Sequence, residues 1–146
     1  MITITTLSDK HYVLKGLALY NSLVNTTTQD FILHYLAVDD YTYQFLTNLN
    51  LPKMKVWNMS SISSDPDFTT LKNNTKYIVD GFCSYCFALA SFFTYYISTI
   101  IESDYLFYID SDIILYEDIY KIILSSQNKS VGIHLHKHVR SEEHTS

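Results

Sequence analysis

The sequence predicts an α/β fold: a mostly parallel sheet with helices on both faces. Two observations carry this expectation. The segments Phe31 to Val38 (FILHYLAV) and Tyr105 to Ile109 (YLFYI) are near-continuous apolar runs of strand length, the pattern of strands covered on both sides. Such runs alternate along the chain with segments of helical spacing, the order that places a crossover helix between parallel strands. Sheets of this kind bind ligands at the carboxyl ends of their strands, where strand order reverses.

The elements follow in order. Ile2 to Leu7 alternates β-branched residues and reads as a strand, and Tyr12 to Val24 then carries Val13, Leu17, Tyr20 and Val24 at helical spacing. After the second strand, Asp39-Asp40 can cap a helix over Tyr43, Phe45, Leu46 and Leu49. Pro52 breaks that helix, Met54 to Trp57 is a short third strand, and Asn58 to Ser64 is a polar loop. Asp65 suits an N-cap and Pro66 the first turn of a brief helix, where its missing N–H costs nothing. A helix around Glu117 to Leu124 and a strand from Ser130 to about Leu135 complete the series.

From Asp80 to Glu102 no charged residue intervenes, a length that would span a bilayer. Ser84, Tyr85, Ser91, Thr94, Tyr95, Tyr96, Ser98 and Thr99 punctuate it, and no Lys/Arg cluster flanks it. The stretch Gly81 to Ile101 is therefore expected to be a helix within an α/β core, with no transmembrane span.

Asp110-Ser111-Asp112 is the feature with the most chemistry. Two carboxylates end a strand otherwise made of Tyr, Leu, Phe and Ile, where a buried charge is costly unless paired or bound to a cation. Hard oxygen ligands suit Mg²⁺ or Mn²⁺, which keep positions open for the phosphate oxygens of a substrate. The plainer reading is that both aspartates cap the next turn in solvent, since D-x-D is a common chance pattern.

The segment FYIDSDIILYEDI resembles the YxDxD-hydrophobic-hydrophobic segment of GT-A fold glycosyltransferases, of the glycogenin and lipopolysaccharide galactosyltransferase kind (family 8) and related capsule-type sugar transferases. Thr6-Leu7-Ser8-Asp9, then Tyr12, Lys15-Gly16 and Ser22-Leu23, is similar to the first strand and helix of that family, and Leu36-Ala37-Val38-Asp39-Asp40 to its second strand. The likeness runs from Met1 to about His138. It implies a Rossmann-like, nucleotide-diphospho-sugar transferase fold, and transfer of a sugar from a nucleotide sugar to the hydroxyl of a saccharide or lipid-linked acceptor. It further implies that Asp110 and Asp112 bind Mn²⁺ or Mg²⁺ and the diphosphate, with Asp110 and Ser111 near the ribose. Thr6 and Leu7 would meet the base through their backbone, and Tyr12 would stack on it; a Tyr packing at a helix start is the bland alternative. The resemblance leaves room for peripheral membrane association.

Departures from the family pattern limit the expectation. Gly81 to Ile101 lacks the Arg or Lys that several members carry there to grip phosphates. The family's third metal ligand, a His in a His-and-Gly motif, has no counterpart before the chain ends, nor does an acceptor site. Residues 1–139 are thus expected to be the nucleotide-sugar-binding part of a single domain, incomplete at its carboxyl end and inactive alone. Arg140 to Ser146 (RSEEHTS) resembles a translated sequencing adapter, expected to be non-native. His134, His136 and His138 would share one face of a strand, and a solvated strand end is their plain reading.

Two rival classes remain. Cys83-Ser84-Tyr85-Cys86 is a C-x-x-C at a helix start, the pattern of thiol-disulfide oxidoreductases, although Pro52 and Pro66 both lie upstream of it and two buried cysteines used as small core residues are the plainer reading. A non-catalytic module that holds a nucleotide or sugar is the other. A phosphohydrolase of the haloacid dehalogenase type fits less well, because its D-x-D sits on the first strand.

Composition narrows the field further. The chain of 146 residues is 47% apolar and 17% charged, enough for one domain with a real core. Its net charge of −5 comes with no Lys/Arg cluster, which argues against nucleic acid as a partner. The start Met1 to Leu7 has no basic region before its short apolar run, so a cytoplasmic location is expected. The N-x-[ST] matches at Asn25, Asn58, Asn73 and Asn128 carry no weight without an export signal.

Overall fold

A computed structural model describes residues 1–75 and 81–125. Within them lie strands β1 (Ile2–Ser8), β2 (Phe31–Ala37), β3 (Met54–Asn58) and β4 (Tyr105–Tyr108). The helices are α1 (Val13–Thr26), α2 (Asp40–Leu49), α3 (Pro66–Thr75), α4 (Gly81–Ile100) and α5 (Tyr120–Ser125). The four strands form one all-parallel sheet in the order β3-β2-β1-β4. The expected strand from Ser130, the three histidines beyond it and the segment from Arg140 lie outside the described residues.

Alternation along β1 sorts the core into two layers. Ile2 and Ile4 face the same side as their register partners Phe31 and Leu33, and there meet Val13, Leu19, Tyr20 and Leu23 of α1, Leu46 of α2 and Ile123 of α5. Leu7 and its partner Leu36 face the opposite side and meet Leu89, Phe92, Phe93 and Ile97 of α4 with Phe68 of α3. Every residue of β1 is buried, as a central strand covered on both faces requires.

The uncharged stretch forms α4 and covers the sheet with one stripe. Leu89, Phe93 and Ile97, spaced four apart, are fully buried, while Phe87, Ser91 and Tyr95 of the same helix are exposed. Each of those buried side chains contributes roughly 1.5–3 kcal/mol by its burial. Thr94 ties the helix to the sheet, its Oγ1 lying 2.8 Å from that of Thr5. Among the described residues no helix is long and apolar enough to cross a membrane.

Side-chain caps mark the starts of α2 and α5. The Asp39 carboxylate accepts the Thr42 amide hydrogen at 2.8 Å, and α2 ends at Asn50 in the left-handed region (φ 43°). The polar loop after β3 contains a single 3-10 turn, Met59–Ser61, whose Ser61 N–H is received by Asn58 Oδ1 at 2.9 Å. The last helix begins at Tyr120 rather than near Glu117, because Asp118 is an N-terminal cap: it accepts from Tyr120 N–H at 2.9 Å and also from Thr28.

Candidate functional site

Strand order dictates where a site can form. The chain builds β1, β2 and β3 outward in one direction and then returns to the other side of β1 to place β4. The carboxyl ends of β1 and β4 therefore lie side by side, and the loops leaving them lead to α1 and α5 on one face of the sheet while α4 covers the other. A cleft of about 450 Å³ lies there. The end of β1 and the following turn supply Leu7, Ser8, Asp9 and Tyr12, and the end of β4 supplies Tyr108, Asp110, Ser111 and Asp112. Val38 after β2 closes the floor, and Cys86 and Phe87 of α4 form a wall.

The acidic doublet sits just beyond the last paired residue of β4. Ile109 N–H still donates to Thr5 C=O at 3.0 Å, after which Ile113 N–H donates to Asp110 C=O at 3.1 Å and closes a turn. Ser111 points inward and is only 8% exposed, whereas Asp110 and Asp112 are both exposed. This corrects the expectation that the carboxylates face a desolvation cost: they overhang the cleft in water, and the penalty falls on no charge. Tyr108 Oη donates to Asp110 Oδ1 at 2.8 Å. Burial, and then the Asp110 carboxylate that receives its proton, push the Tyr108 phenol well above its ordinary value.

The β1–α1 turn is held by two aspartates. Asp9 Oδ1 accepts the His11 amide hydrogen at 2.9 Å, and Asp39 Oδ2 accepts that of Lys10 at 2.7 Å while its other oxygen caps α2. Burial raises the Asp39 carboxyl, but the amides of Thr42 and Lys10 outweigh it and hold the group below the usual carboxylate range. Tyr12 occupies the N-cap of α1 with no side-chain cap bond, its ring 44% exposed and the Lys15 ammonium 4.2 Å from its centroid.

Beneath the turn, Ser8 Oγ lies 2.6 Å from Tyr35 Oη in a buried contact. Burial pushes the Tyr35 phenol up to about 12. Gly16 passes over this ring so closely that an added Cβ would stand 1.9 Å from the hydroxyl, which explains a glycine inside α1.

Of the site residues expected from sequence, Leu7, Tyr12, Asp110, Ser111 and Asp112 converge on the cleft, and Thr6 does not. Thr6 is wholly buried on the opposite side of β1 from Leu7, and its Oγ1 has no hydrogen-bond partner. Ser8, Asp9, Val38, Cys86, Phe87 and Tyr108 complete the lining without having been assigned there. The signal for Ser8 and Asp9 lay in their position after a buried strand; Cys86 and Phe87 reach the cleft only through the sheet order. Cys86 is half-buried, and the Cys83 side chain lies outside the described residues, so the dithiol reading gains nothing.

Among the described residues that line the cleft, Asp9, Asp110 and Asp112 carry all the formal charge, and the Lys15 ammonium stands over Tyr12 at its margin. Among the described residues no three His, Cys, Asp or Glu side chains stand close enough together to hold a metal ion. The chain matches no protein-family model, no curated protein and no solved structure.

Proposed function

We propose that the chain is the nucleotide-sugar-binding part of a metal-dependent glycosyltransferase of the GT-A fold, working in the cytoplasm on a nucleotide-diphosphate sugar and a saccharide or lipid-linked acceptor. The observation that carries this reading is the convergence of the Asp110-Ser111-Asp112 turn and the β1–α1 turn bearing Tyr12 on one cleft at the strand-order reversal. A nucleoside against Tyr12 and a diphosphate against Asp110 and Asp112 fit that arrangement, and the buried Ser111 leaves room for the sugar to approach the backbone.

Charge makes the cation necessary. Among the described residues the cleft is lined by three carboxylates and no basic side chain, a lining that repels a diphosphate. Exposed Asp110 and Asp112 fit Mg²⁺ or Mn²⁺, because such ions take one or two protein carboxylates and fill their remaining positions with water and phosphate oxygens. When bound, such an ion supplies neutralisation of the charge that develops as the nucleoside diphosphate departs. The chain's own residues bind and orient: Asp110 and Asp112 present oxygen ligands, Tyr12 an aromatic face, and Leu7, Val38 and Phe87 an apolar wall.

A second reading shares the same geometry. A module that holds the nucleotide sugar without transferring it would show the same cleft, with two converging carboxylates among the described residues. Calorimetric titration of nucleotide-diphosphate sugars with and without Mn²⁺ tests both. Binding is expected only with the metal and lost in Asp112→Ala with the fold intact; equal affinity in mutant and parent would reject the site. Sugar transfer or hydrolysis by the parent separates the enzyme from the module.

A further inference from the structure

Asp110 stands on an exposed turn, where a carboxylate ordinarily turns freely about its side-chain bonds. Two contacts restrain it, one on the backbone and one on the side chain. Its backbone carbonyl accepts Ile113 N–H at 3.1 Å, and its Oδ1 accepts the Tyr108 hydroxyl at 2.8 Å. Tyr108 is itself anchored as the last residue of β4, in register with Thr5 of the central strand. From that fixed position the phenol reaches the carboxylate two residues on, beyond the end of the strand. Among the described residues no hydrogen bond reaches Asp110 Oδ2 or either oxygen of Asp112.

We infer that Tyr108 is a positioning residue that holds Asp110 to ligation through one oxygen, and so biases the cleft toward Mn²⁺ or Mg²⁺ and against Ca²⁺. The inference rests on the metal-site reading above. Mg²⁺ demands near-octahedral geometry at short distances and is served by single carboxylate oxygens, whereas Ca²⁺ takes six to eight ligands and readily accepts both oxygens of one carboxylate. An oxygen already engaged by a phenol is a poor second arm for such a clasp. Hydrogen-bond partners behind a ligand also fix its direction, and their removal typically lowers metal affinity by about 10- to 100-fold.

The test compares the parent chain, Tyr108→Phe and Asp112→Ala, titrated with Mn²⁺ followed by electron paramagnetic resonance and with Ca²⁺ by competition. In Tyr108→Phe the ring stays and only the hydroxyl goes, so the metal-free melting temperature and circular dichroism are expected to match the parent. Mn²⁺ should bind roughly tenfold more weakly to that variant. Ca²⁺ should bind as well as before or better, so that the ratio of the two affinities falls by about the same factor. Equal weakening of both ions would show that Tyr108 only supports the turn, and unchanged affinity for both would show no influence; either overturns the inference while leaving the metal site standing. A parent that binds no Mn²⁺, or an Asp112→Ala variant that binds it unchanged, overturns the metal-site reading and the inference together.

Discussion

Gly16 lies directly over the ring of Tyr35, with space for a hydrogen atom and none for a methyl: an added Cβ would stand 1.9 Å from Oη and 2.7 Å from Cε2 and Cζ. The ring cannot withdraw, because it is wholly buried and its hydroxyl pairs with Ser8 at 2.6 Å. Gly16→Ala is expected to lose a net stability of about 2 kcal/mol, overpacking outweighing the gain of about 1 kcal/mol that alanine brings to a helix. Urea denaturation measures it. Adding Tyr35→Phe removes the clashing oxygen, so the double variant should be less destabilised than the sum of the singles. Simple additivity would show that the clash is relieved elsewhere.

His34 gives the fold a defined acid sensitivity. It is 2% exposed, and Trp57 Nε1 donates to its Nδ1 at 3.1 Å, which requires the neutral ring. Burial, with the Lys55 charge second, lowers its folded value from 6.5 to about 4. The unfolded chain therefore takes up the proton first as pH falls. The His34 contribution is full above pH 6.5 and is lost as pH drops toward about 4. The loss amounts to roughly 3 kcal/mol across that window. His34→Gln, which keeps an acceptor for Trp57, should flatten this part of the pH–stability curve; an unchanged slope would assign it to other groups.

Asp39 couples α2 to the site. Its two oxygens hold Thr42 N–H at 2.8 Å and Lys10 N–H at 2.7 Å. Asp39→Ala should cost about 1–2 kcal/mol through the lost cap and loosen the turn carrying Asp9 and Tyr12. Asp39→Asn retains one acceptor and should lose less. Since the folded carboxyl lies below its ordinary value, its contribution is present above that value and is lost as pH falls through the lowered one. Thermal melts at pH 7 rank the two variants, and the gap between the parent and either of them should shrink in acid.

Thr6 offers a test in the stabilising direction. Its buried Oγ1 has no partner, so Thr6→Val keeps the shape and removes an unpaired polar atom. A gain on the order of 1 kcal/mol is expected, with ligand affinity unchanged because the side chain lies off the cleft. Loss of binding in this variant would show that the Thr6 hydroxyl shapes the cleft from beneath, a role apart from the backbone contact expected of Thr6.

Local patterning made most elements legible. The run FILHYLAV and the strand β2 differ by one residue, and Asp39 and Pro66 open α2 and α3 where cap chemistry places them. What escaped depended on contacts distant in sequence. Asp118 reaches back to Thr28 and delays α5, a pairing with no local trace. The position of β4 beside β1 likewise leaves no mark in either segment, yet it brings α4 residues Cys86 and Phe87 to the cleft. The doublet's location was readable from the apolar strand before it, and its exposure was not, because the sequence does not reveal that strand pairing ends at Tyr108 and that the chain turns outward after it.

The three carboxylates at the β1 and β4 strand ends also have a cost for the protein at rest. No side chain among the described residues of the lining carries a positive charge, so the three carboxylates add their mutual repulsion through water to the cost of folding. Added salt, which shortens the reach of that repulsion, should raise the melting temperature even with no ligand present. Replacing one carboxylate by its amide should do the same. The fold carries this tension in its most exposed turns, where a cation would dissipate it.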